Sequence, residues 1–186
     1  MPTDFCIAAD PTVIEGVQCI IVPVHGKNHT TFGASSWLTT NYGRYFIQLS
    51  KQMEKNMLSN NELLNTEPIL VKAAPGWPTT VDLLFIDDDL NKPIETVVFR
   101  PLHFAWDLGY KNVSMQLFRS GKEMCPKATN ETLNAFAMIE ACKKFPKMDI
   151  TVVLNSLEHY AIMELEKEHV HFLGYWHEEA KKFQPT

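Results

Sequence analysis

The sequence predicts an α/β fold three layers deep, in which helices cover both faces of a mixed, mostly parallel sheet. Three observations carry this expectation. Short apolar runs alternate with helical patterns of ten to seventeen residues, the signature of βαβ units. The run Val17-Gln18-Cys19-Ile20-Ile21-Val22-Pro23-Val24 is almost continuously apolar, as a strand covered on both faces must be. Gly-, Asn-, Ser- and Thr-rich segments follow such runs, as loops at strand ends do.

In chain order, Phe5 to Ala9 is the first strand, stopped by Asp10-Pro11, and Val17 to Val24 is the second. His25 to Ser36 is a loop. From Ser36, the spacing of Trp37, Tyr42, Tyr45, Phe46, Leu49, Met53 and Met57 gives a helix with one apolar face. Ile69-Leu70-Val71 and Val81 to Ile86 are strands joined through the turn Pro75-Gly76-Trp77-Pro78, and Asp87-Asp88-Asp89 ends the second as a solvated turn. Pro93 to Leu108 is an amphipathic helix, with Pro101 predicting a kink or break and Gly109 a C-terminal stop. Val113 to Phe118 is a strand, Arg119 to Lys127 a loop, Thr129 to Phe145 a helix and Ile150 to Leu154 the last strand. A helical tail begins near residue 156, and the 186 residues are expected to form one domain.

Composition narrows function by exclusion. With 45% hydrophobic residues and four Trp, the chain has ample surface to bury. A net charge of −5 with no basic run predicts no nucleic-acid partner. No segment reaches the roughly 18 apolar residues of a membrane span. Cys6, Cys19, Cys125 and Cys142 form no CxxC pair, and Met1-Pro2-Thr3-Asp4 lacks a secretory start, so the expected compartment is the cytoplasm. The seven histidines match no zinc spacing, so no metal or cofactor is expected. P-loop, Gly-x-Ser-x-Gly and Gly-x-Gly-x-x-Gly motifs are absent.

In open α/β sheets, ligands bind beyond the carboxyl ends of the strands. Loops 25–36, 87–92 and 119–127 fall there. The first brings His25, Gly26 and Gly33, with a helix start near Ser36 that aims amide groups into the same space. The third brings Arg119-Ser120-Gly121-Lys122, two cations and a glycine. Together they suit a phosphate-bearing ligand.

Asp10-Pro11-Thr12 followed by Gly16 to Val24 resembles the opening of a macro domain, where an Asp-Ile-Thr turn precedes a Val-Asp-Ala-Ile-Val-Asn-Ala-Ala-Asn strand. Leu108-Gly109-Tyr110-Lys111-Asn112-Val113-Ser114, then Arg119-Ser120-Gly121, is similar to that family's helix end, strand and second phosphate loop. The resemblance covers roughly residues 5 to 170 and implies a macro-like fold binding a nucleotide-like or ADP-ribose-related small molecule. By position, Asp10 takes the place of the adenine-contacting acid, Gly33 falls in the first phosphate loop, and Ser120 and Gly121 fall in the second. The chain also departs from the pattern. Val22-Pro23-Val24-His25 stands where the family has Asn-Ala-Ala-Asn, and His29-Thr30-Thr31-Phe32-Gly33 replaces a triple-Gly loop.

Two alternatives stand beside a binding module. One is a hydrolase of an ADP-ribose derivative with His25 as general base. The other is a pocket-less interaction protein in which Phe32 and Phe118 fill the ligand space. The aromatic tail residues Phe172, Tyr175, Trp176 and Phe183 offer a surface for self-association.

Overall fold

In the computed structural model, the described residues are 3–7, 16–24, 45, 47–48, 51, 68–77, 80–88, 92–116, 118 and 131–154. They contain strands β1 (Thr3–Ile7), β2 (Cys19–Val24), β3 (Ile69–Val71) and β4 (Asp82–Asp87), then helix α1 (Ile94–Asp107). Strand β5 (Asn112–Gln116), helix α2 (Glu131–Cys142) and strand β6 (Asp149–Leu154) follow. The strands make one six-stranded sheet in the order β1-β6-β5-β2-β4-β3. Every neighbouring pair is parallel except β3 with β4, so the sheet is mixed and mostly parallel, as expected.

The alternation of side chains across β2 and β4 divides the core in two. Cys19, Ile21, Leu84 and Ile86 face α1 and α2, whose Val98, Leu102, Met138 and Ile139 pack on them. Ile20, Val22, Leu83 and Phe85 face the other way, toward the helical residue Tyr45 and the half-buried Trp77. A strand with a layer on each side has no polar face to show. That is why residues 17–24 read as a continuous apolar run.

Helix α1 buries Ile94, Val97, Val98, Pro101, Leu102 and Ala105, one stripe at helical spacing. Burying each large aliphatic side chain contributes about 1.5–3 kcal/mol. Pro101 sits inside the helix without breaking it, so of the expected kink or break the break does not occur. Its missing N–H costs one bond toward the Val97 carbonyl, but the ring is buried in the packed face, and tertiary burial outweighs the lost bond. Gly109 closes the helix as expected. With φ at +89°, it lets its own amide reach the Trp106 carbonyl (3.0 Å) while the Tyr110 amide reaches that of Ala105 (3.1 Å).

The remaining differences lie at element ends. β1 begins at Thr3 rather than Phe5, with Ala8 and Ala9 outside the described residues, β5 ends at Gln116 rather than Phe118, and Asp87 lies within β4. Asp88 is 2% exposed and partnered, so it is not part of a solvated turn. Among the described residues, no helix is long and apolar enough to cross a membrane. The tail from 156 lies outside the described residues.

Candidate functional site

The strand order makes a switch point. The chain leaving β2 passes to the face that holds Tyr45, whereas the chain leaving β5 passes to α2 on the opposite face. β2 and β5 are neighbours, so the chain leaves their carboxyl ends from adjacent positions toward opposite faces, the arrangement at which open α/β sheets bind ligands. The segment after β2 contains His25 and Gly33, and the segment after β5 contains Arg119, Ser120 and Gly121. These five residues and Asp10 lie outside the described residues. What the structure fixes is where the strands that carry them end. β2 and β5 end side by side, and β1, which leads to Asp10, lies three strand spacings from β2. At about 4.8 Å per spacing, a ligand reaching from one to the other spans about 14 Å.

Polar side chains gather at this end of the sheet. Gln116, the last residue of β5, is 8% exposed, and Asp88 follows β4 in the buried state noted above. Both have polar partners, as buried groups of this kind must. Sequence reasoning passed over Gln116 because it fell inside the expected strand Val113 to Phe118, where nothing marked it out. Phe118 lies in the core with α1 and α2, and its amide donates to Met138 Sδ at 3.3 Å. Phe118 is therefore a core residue. Phe32 lies outside the described residues.

The amino ends of the strands carry a different set of contacts. Asp82 accepts from the Tyr110 hydroxyl and from the Ala73 amide (2.8 Å). Gln18 Oε1 accepts from the amides of Lys111 (2.8 Å) and Asn112 (3.0 Å), and the Asp149 amide donates to the Lys111 carbonyl (2.8 Å). Burial, with the Asp82 hydrogen bond added, holds the Tyr110 hydroxyl well above the ordinary tyrosine range. Burial, reinforced by the Asp82 charge, likewise pushes the Cys19 thiol up, so it is not a nucleophile. Among the described residues, no three His, Cys, Asp or Glu side chains converge on a metal position.

The described residues define an open, mostly parallel α/β sheet architecture. No family model matches the chain, and no curated protein matches its sequence. Solved structures do match its fold. A macrodomain of Oceanobacillus iheyensis with ADP has a TM-score of 0.65 at 13% identity, over 88% of this chain and 88% of that one. The macrodomain of Thermus aquaticus DarG has a TM-score of 0.59 at 9% identity, over 81% of this chain and 97% of that one. The macrodomain of Mycobacterium tuberculosis DarG also reaches 0.59, at 10% identity, over 83% and 99%. The chain has a macro-domain-like fold.

Proposed function

We propose that this chain is a divergent macro-like domain that binds a nucleotide or phosphorylated small ligand, related to ADP-ribose, between the carboxyl ends of β2 and β5. The observation that carries the reading is the switch point. It brings the starts of the segments holding His25 and Gly33 and those holding Arg119, Ser120 and Gly121 to adjacent strand ends. Glycine backbone and helix-start amides suit a phosphate group, and Arg119 supplies a cation with fork geometry for its oxygens. Asp10, three strand spacings away, suits the far end of an elongated ligand. Macrodomains with ADP and with ADPR among the structural neighbours support the same class of ligand. The fitting compartment is the reducing cytoplasm, which suits the free, buried thiol of Cys19.

The test is isothermal titration with ADP-ribose, using AMP and ADP as comparators. Binding tighter than about 100 μM, roughly 5.5 kcal/mol, and weakened by Asp10→Ala, supports the reading. An absence of heat with all three at millimolar concentration removes it.

A further inference from the structure

Strand β5 departs from the rule that β2 obeys. It lies inside the sheet, between β6 and β2, where a strand of a parallel sheet is expected to be apolar on both faces. Its side chains alternate instead. Val113 and Met115 join the core with α1 and α2, whereas Asn112, Ser114 and Gln116 face the other way. Ser114 and Gln116 are buried on that side. β6 repeats the pattern. Ile150 and Val152 face the helices, and Thr151, buried on the opposite face, stands directly across the ladder from Ser114. On the β2 side, Ser114 is flanked by the apolar Ile20. A hydrogen-bonding stripe therefore runs along a buried face of β5 and β6, and its members are not served alike. Gln116 has a polar partner, but Ser114 Oγ is fully enclosed and bonds to no protein group, Thr151 included. A buried hydroxyl left unpaired costs more stability than a typical internal hydrogen bond returns. Native structures serve nearly all such atoms, with protein groups or with ordered water.

We propose that Ser114 and Thr151 form an internal hydration site, at which one water molecule bridges Ser114 Oγ and Thr151 Oγ1. Neighbouring strands lie about 4.8 Å apart, and a water making two hydrogen bonds of about 2.8 Å spans such a gap. The chemistry of the pair selects water over a metal ion, because both groups are neutral hydroxyls that donate as well as accept. Internal waters of this kind bond to otherwise unsatisfied polar groups and are costly to remove. The site lies within the sheet and is independent of ligand binding at the carboxyl ends.

The experiment uses the full chain with Ser114→Ala, Thr151→Val and the two combined, each substitution removing one hydroxyl and little else. Urea unfolding of the four proteins gives a double-mutant cycle. Expected is a lower urea midpoint in each single variant, and a double variant no lower than the weaker of the two, since losing either hydroxyl breaks the same bridge. A Ser114→Ala protein with a higher midpoint than the parent overturns the proposal, because that is the gain from deleting an unbonded hydroxyl. Losses that simply add overturn it as well, because they mean that the two hydroxyls act separately. A high-resolution crystal structure of the parent should show a water within hydrogen-bond distance of both hydroxyl oxygens. Ser114 Oγ bonded there to a protein group instead would overturn the site directly.

Discussion

The two ends of the sheet are built on opposite principles. At the amino ends, short connections are fastened to one another: Asp82 holds Tyr110 and Ala73, Gln18 holds the Lys111–Asn112 backbone, and Lys111 holds Asp149. Lys111 also lies 3.9 Å over the Trp106 ring. At the carboxyl ends, β2 and β5 lead toward the residues proposed for ligand contact, His25 and Gly33 after β2 and Arg119, Ser120 and Gly121 after β5. The amino end ties its short connections together through side-chain hydrogen bonds, whereas the carboxyl end is where the proposed ligand contacts begin. Stability therefore resides largely in the sheet core and its amino end, and the ligand contact proposed above falls at the carboxyl end.

Substitutions sharpen or break that contrast. The largest effect is expected from Phe85→Ala, since Phe85 is fully buried in the cluster with Tyr45. It should cost about 3–5 kcal/mol in urea unfolding and weaken both ends alike. Asp82→Ala removes the acceptor of two donors and should cost about 2 kcal/mol in the same assay. Titration of the folded Asp82→Ala protein should give the parent's ligand affinity, and a large loss of affinity would break the division of roles. Asp10→Ala should do the reverse, with affinity at least tenfold lower, about 1.4 kcal/mol, and an unchanged unfolding midpoint.

The smallest effect is the dependence on alkaline pH. Folded Tyr110 keeps its proton above the ordinary tyrosine value of about 10, and the unfolded chain releases it there. The folded state thus binds more protons. The stability this contributes is complete below pH ~10 and is lost as pH rises. Cys19 acts in the same direction from its own ordinary value of about 8.5. Thermal midpoints should fall from about pH 8.5 upward, and Tyr110→Phe should flatten the part above about pH 10. A midpoint constant across that range would sink the assignment.

Much of the fold was legible because a residue's layer determines its chemistry. A strand covered twice must be apolar throughout, so β2 could be read at once, and Gly109 marked a helix end because φ near +89° favours glycine. Strand order was not written locally, because β1 pairs with β6 and β4 reaches β5 only by crossing β2. Asp88 was misread for a related reason. Its burial depends on neighbours distant in sequence, whereas three consecutive acids suggest water. The site was legible only as far as its strand ends. Pro23 was visible as a departure from a family motif, but that the β2–β5 ladder stops at Ile21 needed the register of two ladders.

The pairing of β1 with β6 also bears on how the molecule is made. Thr3 lies opposite Ile150, and among the described residues β1 has no other strand neighbour. A growing chain must therefore carry its first strand unpaired until nearly all the described sheet has been synthesised. Closing so long a loop is slow for entropic reasons. The β2–β4–β3 side, with its local hairpin, is free to assemble meanwhile. On the ribosome, β1 is then the last strand to be seated in the sheet, and until then its backbone is open to chaperones and to other nascent chains.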